Sequence, residues 1–192
     1  KNEDLNKPFF LAPKLTNGIG EADIYGGKVF GRWGRLGRSY LVEFRRVHNQ
    51  IRLVALNTEF TAKAGTPEAR AVRSSFSESL LASTFVASQP HPESKTFLID
   101  AAPLFLTDMM GIGMSLQQSF RQGYSLDPRH TMIANVRNTP EQTIIDVSAH
   151  YATGNIAVPT PGAPPGAPVP STPTSIPDVR SMFVGVHYSL SK

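Results

Sequence analysis

Half of the sixteen prolines fall in one stretch, between Val158 and Asp178, mixed with Gly, Ala, Ser and Thr. Proline has no N–H to give a ladder and cannot continue a helix, so this stretch is a loop or an extended polyproline-like excursion. The chain then returns to order. Arg180 to Leu190 alternates, with Met182, Val184, Val186 and Tyr188 on one face, the period-two pattern of a half-buried strand. Residues 155–179 therefore read as a Pro-rich surface loop inserted between two strands of a single domain spanning 1–192.

The same alternation marks the rest of the sheet. From Ser39 to Arg46, Tyr40, Val42 and Phe44 share one face and Glu43 and Arg45 the other. His48-Asn49 sits where a tight turn is needed, and Ile51 to Phe60 returns, which makes a β-hairpin. Thr84–Ser88 with Thr96–Leu106, and Arg129–Arg137 with Gln142–Tyr151, read as further strand pairs. Phe9 to Ala12, bracketed by Pro8 and Pro13, reads as an edge strand, and the glycines from Gly18 to Gly37 mark a long ordered loop.

One helix stands out. Thr66-Pro67-Glu68 supplies a capping hydroxyl, a proline at the first helical position and an acid in the first turn. Ala69, Val72, Phe76 and Leu80 follow as one apolar stripe, which predicts a helix over about 67–82 with Phe76 anchoring it to the sheet. Met114 to Arg121 has room for two more helical turns. The fold class is α+β: a mostly antiparallel sheet built from hairpins, with one main amphipathic helix packed on it.

Composition narrows the chemistry. With 40% hydrophobic and 18% charged residues the chain is globular, and at this length it needs no disulfide or metal staple. It has no cysteine, which removes disulfides, thiolate zinc sites, iron–sulfur ligation and cysteine nucleophiles. A formal charge of +4 gives a mild preference for anionic partners. The longest apolar run, Phe97 to Leu106, is interrupted by Asp100 and Pro103, far short of the ~20 residues that span a bilayer. No transmembrane segment is expected, and the polar opening Lys1 to Lys7 suits either a mature terminus or a segment cut from something longer.

No catalytic motif and no metal site emerge from spacing. None of the five histidines, His48, His91, His130, His150 and His187, has a second His or an acid at a helical ligand spacing. His130 and His150 fall on strands expected to pair, so they could lie near one another, against the plainer reading of polar strand positions facing solvent. Ser74, Ser75, Ser77 and Ser79 lie on or beside the helix, and no Gly-x-Ser-x-Gly elbow is present. A Ser-His-Asp triad is defined by geometry and not by spacing, so that alternative stays open at this point. The acids, Asp127 and Asp146 among them, are scattered. Gly111-Ile112-Gly113 lacks the third glycine and the lysine of phosphate cradles. Arg32, Trp33, Arg35 and Arg38 interleave guanidinium groups with the only tryptophan and form a candidate docking surface for an acidic protein. No nucleic-acid signature accompanies them.

A series of segments in fixed order carries a resemblance: Gly18-Ile19-Gly20-Glu21-Ala22, Val42-Glu43-Phe44-Arg45-Arg46, Asn57-Thr58-Glu59-Phe60, Ala71 to Phe76, Leu98 to Phe105 and Ser125-Leu126-Asp127-Pro128-Arg129. The chain resembles the uncharacterised domain that precedes the catalytic domain in large bacterial zinc-dependent metalloproteases of the met-zincin type. The resemblance implies an exported protein, periplasmic or at the cell surface. Its zinc would sit in a later domain, on an extended His-Glu-x-x-His-x-x-Gly-x-x-His motif that no residue here matches. It implies a non-catalytic accessory or prodomain-like module, with the catalytic domain of the same polypeptide and a protein or peptide substrate as partners and no cofactor of its own. The alternative is a stand-alone peptide- or glycan-binding module of an exported protein.

Overall fold

A computed structural model describes residues 1–192 except 30, 31, 160, 163, 165 and 167, and only the backbone of 28, 29, 32 and 33. In chain order the described residues form β1 (Phe9–Asn17), a ribbon of β2 (Lys28–Val29) and β3 (Arg32–Trp33), the hairpin β4 (Tyr40–Val47) and β5 (Gln50–Ala55), α1 (Pro67–Ser75), β6 (Ser79–Phe85), α2 (Ala102–Phe105), α3 (Ile112–Phe120), β7 (Ser125–Leu126), the hairpin β8 (Met132–Asn138) and β9 (Gln142–Ala152), and β10 (Ser181–Ser191). Eight strands join in one antiparallel sheet, ordered β6-β5-β4-β1-β10-β9, with β7 and β8 both pairing the far side of β9. Because α2 packs against both β6 and β8, the two ends of the sheet, the sheet curls into a half-barrel.

The alternating residues explain which face is concave. Leu11, Val42, Leu53, Val147, Tyr151, Val184 and Tyr188 point inward from neighbouring strands and are buried. Leu104 and Phe105 of α2 and Ile112, Leu116 and Phe120 of α3 fill the space they enclose. Each such side chain contributes roughly 2 kcal/mol of burial.

β1 is a central strand, not the edge strand its flanking prolines predict. It pairs β10 from Phe10 to Asn17 but β4 only from Phe9 to Leu11. On the β4 side, beyond Leu11, Leu15 donates to the Arg35 carbonyl and Gly37 to the Pro13 carbonyl. The Pro13 nitrogen faces that same side, where β4 has already departed, so the missing N–H interrupts no ladder. The glycine-rich segment is packed closely against this strand: a Cβ on Gly26 would lie 2.3 Å from the Asn17 Cα.

The main helix is shorter and shallower than its stripe predicts. Thr66 caps it through the Ala69 N–H at 3.3 Å, but it ends at Ser75, Phe76 is extended (φ −127°, ψ 104°), and no residue of the helix is buried. Phe76 remains 38% exposed and Leu80 58%. The residues from Ser79 onward pair with β5 instead, because Ala82 and Thr84 are needed to complete its inward face. Tertiary hydrogen bonding here outweighs a helical period that four apolar residues happened to satisfy.

Thr96–Leu106 is not a strand either. A single bridge joins Val86 to Ile99. The Asp100 carboxylate then accepts the Ala102 N–H at 2.9 Å, and Pro103 enters the first turn of α2, a place where its missing N–H is harmless. α3 begins two residues earlier than the segment read for it. The Pro-rich segment divides in two. Pro173 is buried and Ile176 packs on the core, so 171–179 belongs to the body, and the described residues between 158 and 170 are exposed apart from the half-buried Pro170.

Candidate functional site

On β9 and β10 the residues between the inward ones face outward, and there the sheet carries histidines. His150 lies between Ala149 and Tyr151, and Ser181 and Phe183 flank Met182 on the neighbouring strand. The turn after β7 lies beside them. Asp127, followed by Pro128, folds it: its Oδ1 accepts the Arg129 N–H at 3.0 Å, and its carbonyl accepts the Thr131 N–H and hydroxyl. This is the local chemistry that makes Asp-Pro a turn.

Two further bonds fasten the turn to the strand. The Asp127 N–H donates to the His150 carbonyl at 2.8 Å, and the His150 N–H donates to the Thr131 hydroxyl at 3.0 Å. Asp127, His130 and His150 are thereby brought together by backbone. His130 Nδ1 is 2.6 Å from Asp127 Oδ2, and the two imidazoles meet edge to face with centroids 5.4 Å apart. His150 Nε2 is 2.8 Å from the Ser181 hydroxyl, and Phe183 covers the ring at 4.8 Å. The His130 hydrogen bond holds the Asp127 carboxyl down at about 2, against an opposing effect of desolvation, so it is ionised across the physiological range.

His150 is 8% exposed. Its Nδ1 lies 3.3 Å from Asp127 Oδ2, but out of hydrogen-bond geometry, so this buried nitrogen has no partner among the described residues. The neighbouring group on the same face differs. His187 Nδ1 is 2.7 Å from Asp146 Oδ1, while Arg137 and Asn135 donate to Oδ2 at 3.1 and 3.4 Å. Both oxygens of that carboxylate are engaged.

The arginine-rich candidate surface is only partly described. The side chains of Arg32 and Trp33 lie outside the described residues. Arg35 turns inward, donating to the Ser115 hydroxyl at 2.6 Å and the Met110 carbonyl at 3.2 Å, so it ties the glycine-rich loop to α3. It lines an open cleft of about 490 Å3 with Tyr25 and Ser115. Arg38 pairs with Glu59 at 3.1 Å on the exposed surface. Arg35 and Arg38 therefore work locally rather than as one patch.

A family model described as domain of unknown function, DUF5117, matches residues 34–184. The chain belongs to that family. No curated protein and no solved structure matches it. The DUF5117 segment contains Asp127, His130, His150 and Ser181 together. Spacing alone did not single these residues out, because the ligand-type atoms come from a turn and a strand twenty and more residues apart. His130 is itself in the turn and not on the strand expected for it. The available signal was Asp127-x-x-His130 at the start of a hairpin whose other arm carries a histidine, His150, near its end.

Proposed function

We propose that this DUF5117 domain is a non-catalytic accessory module of an exported bacterial zinc metalloprotease, acting by packing against the catalytic domain of the same polypeptide or by contacting its protein substrate. The observation that carries this reading is the filled concave face. Where a curled sheet can enclose a small molecule, this one is occupied by Leu104, Phe105, Ile112 and Leu116. The outer face and the edges remain as the surfaces to present. They expose Phe10 and Phe183, each 53%, and Met132, 59%, apolar side chains that suit a surface covered by another domain.

Ser181, His150 and Asp127 have the composition of a nucleophilic triad. The imidazole of such a triad is held by an Nδ1–H bond to the carboxylate, and here that nitrogen is out of hydrogen-bond geometry with Asp127 and has no partner among the described residues. This favours a module that binds. The ordered segments that resemble protease-associated domains support the choice of partner, and the catalytic zinc would belong to that partner.

Reading the gene beyond this segment tests the proposal most directly. The expected result is an extended His-Glu-x-x-His-x-x-Gly-x-x-His motif in the same reading frame, and a complex between that domain and this one on gel filtration. A reading frame with no zincin motif overturns it.

A further inference from the structure

We infer that Asp127, His130 and His150 form a binding site for one divalent transition-metal ion, with zinc the best fit. The inference is independent of the accessory-module reading and concerns this domain's own residues. The three side chains offer two imidazole nitrogens and one carboxylate oxygen, all within 4.8 Å of one another. Zinc holds such atoms at about 2.0–2.2 Å, which places ligand atoms about 3–3.5 Å apart around it. Asp127 and His150 already have that separation, 3.3 Å between Oδ2 and Nδ1. His130, whose side chain is 63% exposed, closes the set by a rotation of its ring.

The buried nitrogen decides between a chance cluster and a site. If His150 carried its proton on Nδ1, that N–H would have no acceptor in line with it. If the proton is on Nε2, donated to Ser181 at 2.8 Å, then Nδ1 presents a lone pair towards an ionised carboxylate. Neither form is favourable in a residue this buried. A cation between the two atoms removes the conflict, and it requires the Nε2–H tautomer that Ser181 is placed to fix. A metal-bound histidine ordinarily donates its other N–H to such an outer partner.

His187 and Asp146 make the contrast. They have the same chemistry on the same face, yet Nδ1 bonds the carboxylate directly and Arg137 and Asn135 occupy the second oxygen. The facing nitrogen and both carboxylate oxygens there are already engaged. At Asp127 the second oxygen is held by the Arg129 N–H, which aims Oδ2 at both histidines. The backbone bonds between the turn and His150 fix the ligand framework before any ion arrives. Two imidazoles and a carboxylate suit zinc and its neighbours in the transition series and disfavour magnesium and calcium, which take oxygen ligands. The exposed side of His130 leaves the remaining coordination position to water.

The test is zinc chloride titrated into the EDTA-treated, dialysed 192-residue chain, read by calorimetry and by thermal melting. The expected result is one zinc per chain and a melting temperature raised by about 5–10 °C at zinc roughly a hundredfold above its Kd, with magnesium chloride inert. His130→Ala, at an exposed position, should keep the metal-free melting temperature and lose the zinc response. Ser181→Ala should weaken binding by about tenfold or more, and His48→Gln, on the remote hairpin turn, should change nothing. Nitrogen NMR of the histidine rings should show His150 bound through Nδ1 and protonated on Nε2. No zinc uptake, uptake unchanged in His130→Ala, or magnesium binding as tightly as zinc overturns the inference.

Discussion

The Tyr151 hydroxyl donates to the Asp108 carboxylate at 2.8 Å, and the same carboxylate accepts the first two N–H groups of α3, from Ile112 at 2.7 Å and Gly113 at 2.9 Å. One acid thus caps a helix and ties it to the strand at the centre of the outer half of the sheet. Asp108→Ala removes the acceptor for all three donors and should cost about 2–4 kcal/mol. Tyr151→Phe removes one donor and leaves the cap intact, for about 1–2 kcal/mol. Urea unfolding of the two variants checks the order, and a Tyr151→Phe loss as large as that of Asp108→Ala would count against the shared cap.

The same arrangement sets a response to alkali. Burial raises the Tyr151 and Tyr188 hydroxyls above the ordinary tyrosine value, and the negative charge of Asp108 adds to it in both. In the unfolded chain these hydroxyls ionise near pH 10. A raised folded value means the neutral form is the one the fold favours. The stability is complete below about pH 10 and is lost as the pH rises above it. Of the five tyrosines, Tyr151 and Tyr188 should therefore stay protonated until the chain unfolds. A tyrosinate absorbance titration should be biphasic, its second step coinciding with loss of circular dichroism. A single smooth step in a chain that stays folded would contradict the burial of these hydroxyls.

What the sequence made legible was local. Alternation marks the arms of β4–β5 and β8–β9 and the inward set Met182, Val184, Val186 and Tyr188, because a strand buried on one face must repeat every two residues. It does not reveal that β1 pairs with β10 at the opposite end of the chain, since a partner that distant leaves no trace in a window of ten residues. Pro13 pointed the wrong way for the same reason: its tolerance depends on which side of the strand is vacant. The metal-type cluster was hidden by register. Asp127 and His150 meet only because the turn bonds back onto β9.

Phe76 shows how a period can mislead. Its ring stacks on Phe60 with centroids 3.8 Å apart and planes within 4°, at the surface and away from the core. Phe76→Ala should cost about 1 kcal/mol, the size of an exposed aromatic pair. Leu116 of α3 is fully buried, and Leu116→Ala should cost about 2–5 kcal/mol. Chemical denaturation that ranked Phe76→Ala as the more damaging would restore the helix anchor that the stripe predicted.

The last expectation concerns Gln122, which is 1% exposed and holds both ends of the Pro-rich excursion. Its amide nitrogen donates to the Ala157 and Ser171 carbonyls, each at 3.0 Å, and its oxygen accepts the Ala157 N–H at 2.8 Å. Beyond this clamp, the Ser171 N–H bonds the Phe120 carbonyl and the Thr174 N–H bonds the Glu21 carboxylate, so the segment that follows is fastened to the body. Since one amide touches both ends of the excursion, a Gly/Ser linker of about four residues spans the gap at about 3.3–3.6 Å per residue. Replacing 158–170 by such a linker should change stability by no more than about 0.5 kcal/mol. Gln122→Leu fills similar space but removes three hydrogen bonds, to Ala157 and Ser171, and should cost about 2–3 kcal/mol. Extending the replacement through 178 removes the buried Pro173 and the packed Ile176 and should cost more than the shorter one by several kcal/mol. Thermal and urea melts of the three variants separate these cases, and a short replacement as damaging as the long one would show that the excursion itself packs.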